Sequence, residues 1–547
     1  MKVFAVLMVA SLMGFNGYGQ ARSGFDWSAF EHIAIQDHGR IKPFDTFARE
    51  SLQLVSGSQS WHGMPAIECL AGWIFAYDKE WAQEKFIRID YPELKKKLGL
   101  VDSDKYFSPS ELRSQAPRLE SLLREIARKE RLKEGLSELE NRAIRVQNQL
   151  GLLDAIASGR AIAILPNPKG ADWVAIGLLD QHNSPFPSEK VTALFGHLGA
   201  LSSRFAAMDA NGWQKAALDF SGILRELGGP GYPSYKNLHR EVHYNGMRPF
   251  RWSWIFYGIA FLLFVLSFVI GSSYSQYAGM VAIVVGFVLH SYGFILRCVV
   301  SGRPPVTNMY ESVIWVAWGA VLFAFMLYIK YRKGVLLAAS SVFAVVGLIL
   351  ADNLPSVLDP SLHPLEPVLR SNFWLAVHVL TITSSYAAFG LSLVLGNVVL
   401  GNYLFKPHQT NSISQLTLYM YRAEQIGVIL LAAGTILGGV WADYSWGRFW
   451  GWDPKEVWAL IALLVYLAVL HGRFAGWLKG FGFVTATVLC FLAVLMAWYG
   501  VNFVLGVGLH AYGFGTGGLP WIVGYIVLQI GFIGAAYLRH AGSFKSL

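Results

Sequence analysis

The run Trp446-Gly-Arg-Phe-Trp450-Gly-Trp452-Asp453-Pro-Lys-Glu456-Val-Trp458 puts four tryptophans and two acids between long apolar segments, in a stretch too short to build a core of its own. One or two tryptophans at a membrane boundary are ordinary interfacial anchors. Four together, beside an acid, better match a large planar amphipathic ligand whose apolar face stacks on rings and whose polar edge meets fixed partners. Histidines flank the run: His378 near the start of an earlier apolar segment, His471 at the end of the following one, and His510 in a later loop. Neutral imidazole is the commonest axial ligand of haem iron, so an aromatic shelf with paired histidines points to a haem site. Asp453 and Glu456 have two readings: acids in the chemistry, or favourable negative charge in the first turn of the next helix.

The elements that must position these residues are membrane helices. Hydrophobic residues make up 54% of the 547-residue chain and crowd into the part after about residue 250. Judged against roughly 20 residues per crossing, about nine segments are long enough, near 252–271, 278–297, 312–330, 335–351, 374–404, 422–441, 455–472, 480–500 and 519–538. The net charge of +9 comes with Lys and Arg at the ends of these spans, and no nucleic-acid motif accompanies it. With the N-terminal part outside, the inner loops hold Lys330, Arg332, Lys333, Lys406, Arg473, Lys479, Arg539 and Lys545, a positive-inside pattern that Arg248 and Arg251 count against at the first span. This orientation places the tryptophan run, His378 and His510 at the outer surface and His471 at the inner end of its span. His290 falls inside the second span, with Arg297 one to two turns further out. Intramembrane histidines by default line a cavity or bind something; the alternative for His290 is a packed, hydrogen-bonded side chain.

Cys69, Cys298 and Cys490 form no CxxC pair, which argues against a disulfide framework, a zinc site, a dithiol redox motif or a thioether-bound haem of the chain's own. At the N-terminus, Lys2, the apolar Val3 to Met13 and the small-residue exit to Gly19 predict a secretory signal over 1–19, cleaved near Gly19 or kept as an anchor. Residues 20–250 then form an exported, mostly α-helical (α+β) domain. Gly39 and Pro43 punctuate a turn before a helix, and Ser108-Pro-Ser-Glu111 is a helix start. Leu132, Leu136, Leu139, Ala143, Val146 and Leu150 form a heptad-like stripe that predicts a helical hairpin or short coiled coil. Ala161 to Leu165 and Trp173 to Leu178 predict two short strands around a Pro-Asn-Pro turn. His32, His38 and His62 are assigned no role.

The tryptophan run resembles the WWD motif of haem-handling membrane proteins. With Pro304-Pro-Val-Thr-Asn308-Met-Tyr310-Glu311-Ser312, the flanking histidines and the Gly508-Leu-His510-Ala-Tyr-Gly513 loop, residues 251–547 resemble the CcsA or ResC type of cytochrome c synthetase of the System II pathway, with an external WWD loop at about 441–456. The Gly39-Arg-Ile-Lys-Pro-Phe-Asp-Thr segment and its domain resemble the periplasmic part of CcsB or ResB fused in front. The resemblance implies a polytopic inner-membrane protein that carries haem b outward, holds it at Trp446, Trp450, Trp452 and Asp453 between His378 and His510, and joins it to the CxxCH of apocytochrome c. It also implies a transmembrane haem pair of which His471 is one member. A separate CcsB-like subunit supplies the other, or His290 replaces it.

As a holocytochrome c synthase, or haem lyase, such a protein needs little acid–base chemistry beyond positioning haem so that thiol addition becomes nearly intramolecular. The reductant for thiols and iron comes from a separate thiol-reducing system. Two other classes share these features: a haem exporter without ligase activity, and a membrane b-type cytochrome serving quinone-linked electron transfer.

Overall fold

The structure, a computed structural model, describes residues 24–170, 172–179, 184–355, 357–365, 371–510 and 517–545. The signal-like segment 1–19 and residues 511–513 of the Gly508 loop lie outside the described residues. The chain divides into two compact units, Met1–Gly246 and Met247–Leu547.

The first unit combines helices with four two-stranded antiparallel sheets among the described residues. His38 and Gly39 both take positive φ, 48° and 75°, and turn strand Ala34–Asp37 back onto Arg40–Pro43. That is the backbone a tight hairpin requires. Helix Phe44–Ser56 follows directly. Ser108 and Glu111 form a full capping box, satisfying two otherwise orphaned backbone donors. The leucine stripe is interrupted: one helix ends at Arg131, and a second capping box, Ser137 with Glu140, starts the next at Glu138. Leu132 is exposed in the bend, whereas Leu136 packs partly buried against the core and Ala143, Val146 and Leu150 are buried in it. The expected second strand also shortens, because only Val174–Ala175 pairs with Ala163–Leu165 before Ile176–Leu178 tightens into a 3-10 turn. Trp73, Trp213, Phe30, Phe44, Phe86 and Phe220 fill the core.

The Gly39-to-Thr46 segment is tied to helix Tyr235–Met247. Arg40 pairs with Glu241, the Thr46 hydroxyl donates to Glu241 at 2.7 Å, and the Asn245 amide donates to Asp45 and Thr46 at 2.9 and 2.8 Å.

In the second unit, nine helices among the described residues are long and apolar enough to cross a bilayer. They are α1 (Pro249–Ile270), α2 (Ser273–Ser301), α3 (Met309–Tyr331), α4 (Gly334–Asn353), α5 (Asn372–Phe405), α6 (Thr410–Trp446), α7 (Pro454–Phe474), α8 (Gly480–Leu505) and α9 (Leu519–Gly542). The chain is thus a multi-pass membrane protein. Helix α5 is central, packing on α3, α4, α6, α8 and α9, while α7 packs on α6 and α8. Alternation of the spans gathers the start of α5, the end of α6, the start of α7 and the end of α8 at one end of the bundle.

Helix α6 runs on through Trp446 and is stopped by Gly447 at φ 68°. The loop expected at about 441–456 is therefore only Gly447–Asp453, since a left-handed residue, which glycine takes without penalty, is what ends the helix. On the same end, Arg297 and Glu311 form a buried ion pair at 2.8 Å. Glu311 also accepts from Thr307 N–H and hydroxyl at 2.7 and 2.6 Å, and Arg297 donates to the Pro360 carbonyl at 3.0 Å. The Pro304–Ser312 segment is thereby an ionic lock between α2, α3 and the loop after α4.

Candidate haem site

Asp453 is the N-cap of α7, and its capping box with Glu456 explains why an acid stands there. Glu456 accepts from Asp453 N–H at 3.2 Å and Gly451 N–H at 2.8 Å, and pairs with Arg448 at 3.2 Å, closing the short loop. The Asp453 carboxylate is buried and does more than cap. It accepts from Lys455 N–H at 3.0 Å, from Leu509 N–H at 2.6 Å and from His510 Nδ1 at 3.0 Å. Burial alone would raise its pKa, but the His510 ring and the backbone donors outweigh it and hold the group at about 2. Gly508, at φ 103°, lets the chain pass the carboxylate: a Cβ there would lie 2.4 Å from Asp453 Oδ2.

His378 is held differently. Residues Leu375–Val379 of α5 form a π-turn, an irregularity frequent at functional sites. The His378 Nδ1–H donates to the Gly434 carbonyl of α6 at 2.8 Å. Gly438, one turn on, lies under the ring, where an added Cβ would come within 2.6 Å of Cε1. The ring meets Trp441 edge-on at 5.6 Å, and Trp441 stacks parallel to Trp374 at 6.4 Å. His510 in turn meets Trp446 edge-on at 4.9 Å.

Trp441 and Trp446 are five residues apart on one helix, roughly 7.5 Å of rise, so both histidines stand against the same end of α6. His510 also lies within electrostatic range of His378. Each imidazole has its Nδ1 committed to an oxygen acceptor, which assigns the tautomer and leaves Nε2 for a metal. Trp450 and Trp452 sit edge-on at 6.1 Å; Trp452, at φ 57°, is 72% exposed and projects from the loop.

The other two histidines are elsewhere. His471 lies in the last turn of α7, exposed, with Nδ1 2.7 Å from the Leu467 carbonyl. It is 17 residues from Pro454, about 25 Å along the helix. His290 is fully enclosed: Phe294 stacks on it at 5.2 Å, Phe250 meets it edge-on at 5.4 Å, and Tyr257 Oη lies 3.3 Å from Nδ1. The structure therefore does not bring His290 to His471. Sequence reasoning also passed over Trp374, Trp441, Gly434 and Gly438. The fourfold spacings Trp374/His378 and Gly434/Gly438 were the available signal.

Residues 306–510 match the family described as "Cytochrome C assembly protein". The chain is 36% identical over 298 residues to the cytochrome c biogenesis protein CcsA of Prochlorococcus marinus, covering 47% of this chain and 93% of that protein. It is 34% identical over 293 residues to CcsA of a Synechococcus species, covering 95% of that protein. Protein NrfI of Wolinella succinogenes is 29% identical over 503 residues, 88% of this chain, and the match spans 54% of NrfI's length. The chain belongs to the CcsA-type cytochrome c biogenesis family of System II, whose members act in cytochrome c assembly.

Proposed function

We propose that this chain is a holocytochrome c synthase that takes haem b as substrate at the exported face of the inner membrane and joins it to apocytochrome c. The reading rests on one observation above the rest: His378 and His510, against the same end of α6, are each bonded at Nδ1 and so offer two Nε2 atoms to one iron. Trp446, Trp450 and Trp452 supply apolar walls, and Asp453 orients His510 rather than exchanging protons with substrate. With the porphyrin fixed, each thiol of a CxxCH segment adds across a vinyl group, sulfur to one carbon and the proton to the other. Fixing both partners makes this step nearly intramolecular. The substrate's histidine then replaces one of the chain's imidazoles.

The positively charged loops at the opposite ends of the spans favour placing this site outside. His471, at that opposite end, belongs with haem on its way across, its counterpart coming from a separate CcsB-like subunit; a thiol-reducing system keeps the thiols and iron reduced. The enclosed ring of His290 favours a packing role.

The test is purification in detergent with visible spectroscopy, and co-expression with a CxxCH reporter. Expected are a low-spin bis-imidazole haem spectrum and covalent haem on the reporter. His378→Gly and His510→Gly should each lose bound haem or its transfer, with partial recovery on adding imidazole. Bound haem without transfer would favour an exporter or electron carrier, and an unchanged spectrum in both variants would refute the ligand assignment.

A further inference from the structure

Glu424 lies in the middle third of α6, fully buried in the membrane bundle. Its Oε2 accepts from the Thr487 hydroxyl of α8 at 3.2 Å, while Oε1 is buried without a hydrogen-bond partner among the described residues. Tyr466 of α7 and Tyr525 of α9 each carry a buried hydroxyl that is likewise unpartnered. Tyr466 and Cys490 of α8 lie within electrostatic range of Glu424, and Tyr525 lies within range of Tyr466. From α5 the neighbour is Phe389, stacked on the Tyr466 ring at 3.8 Å. Among the described residues the cation in range is Arg473, near the end of α7. Its guanidinium rests on the rings of Tyr421 and Phe483 at 4.6 and 4.3 Å and makes no ion pair with Glu424 among the described residues.

The other fully buried acid of the bundle shows what an ionised carboxylate requires here. Glu311 has a bonded arginine, a hydroxyl and a backbone N–H. Glu424 has one hydroxyl. An isolated carboxylate in such surroundings is far costlier than the neutral acid, and ionisable groups inside a membrane bundle by default mark a functional site.

We infer that Glu424, with Thr487 and the free hydroxyls of Tyr466 and Tyr525, is an intramembrane proton-binding site, separate from the histidine site at the end of the bundle. The proton resides on Oε1, with the Tyr466 hydroxyl as its exchange partner and the Tyr525 hydroxyl next beyond it. Tyr466 stands five residues, about 7.5 Å, from His471 toward Asp453, so the site lies along the length of α7 between the two histidine levels.

A protonated carboxylic acid has an infrared carbonyl band distinct from that of a carboxylate and sensitive to H/D exchange. Full-length protein in lipid should show this band at neutral pH, absent from Glu424→Gln and displaced in Glu424→Asp. A hydrophobic carbodiimide, which adds the acid O–H across its C=N bond to give an O-acylisourea whose acyl group then migrates to nitrogen as a stable N-acylurea, should label Glu424 and spare Glu311. Loss of the band and of labelling together as pH is raised would give the site's affinity for its proton. A wild-type spectrum without the band, or one that Glu424→Gln leaves unchanged, would overturn the proposal. Should Glu424→Gln not fold, the displacement in Glu424→Asp and the wild-type labelling decide alone.

Discussion

Asp453, for which the sequence offered a role in the chemistry or a place in a helix first turn, performs three tasks at once. It caps α7, anchors the 508–510 loop through Leu509 N–H, and orients the His510 ring. Asp453→Asn keeps the size but offers one acceptor oxygen to those donors. It should weaken haem retention on the order of 10–100-fold, the usual cost of losing an outer partner of a metal-bound histidine, with helix content unchanged by circular dichroism. Its pH dependence has a definite sign. A carboxyl held at about 2 contributes stability that is complete above its ordinary range near 4 and is lost as pH falls through 2. Haem release from wild type should accelerate across that window, whereas Asp453→Asn should release haem readily at all pH values.

At the scale of elements, the contact that matters is α5 against α6. The π-turn at Leu375–Val379 and the absence of side chains at Gly434 and Gly438 together bring the His378 ring onto the α6 backbone. Helices in a membrane approach this closely only where small residues line the face. Gly438→Ala places a methyl where the ring now lies, while α6 itself gains helix propensity. The expected outcome is a correctly folded protein whose haem transfer to a CxxCH reporter falls by roughly 10–100-fold, the effect of moving a positioning group by about an ångström. Unchanged transfer would mean that the seat of His378 is not set by this contact.

At the scale of the molecule, the two units meet different solvents and keep their acids in different ways. In the first unit, burial and the neighbouring Asp45 raise Glu31 to about 7. A raised carboxyl favours the fold while protonated, and that contribution is lost as pH rises from about 4.5 through 7. Glu31→Gln should therefore stabilise the first unit by about 1–2 kcal/mol at pH 8, allowing for the partial exposure of the side chain, and do little at pH 5. Hydrogen exchange of the Ala34–Asp37 strand in the full-length protein reads this directly. In the second unit, the bundle satisfies one buried acid with an arginine, at Glu311, and leaves another, Glu424, with a single hydroxyl.

The sequence by itself determined whatever depends on near neighbours in the chain. Apolar segments of spanning length foretold the polytopic helical fold, and Ser108 with Glu111 foretold a cap three residues long. Composition likewise nominated the tryptophan run and its histidines as candidates. Even at this range one glycine mattered, since α6 continues to Trp446 and the loop starts only where Gly447 ends the helix. Only the tertiary structure decided how the candidates are used. It gave His378 a carbonyl 56 residues away and His510 a carboxylate 57 residues away as Nδ1 partners, enclosed His290 in aromatic rings, and left Glu424 without an ion-pair partner among the described residues. Side-chain hydrogen bonds and burial are set by helices that meet in space, and hydrophobic periodicity says which face of a helix is covered without saying by what.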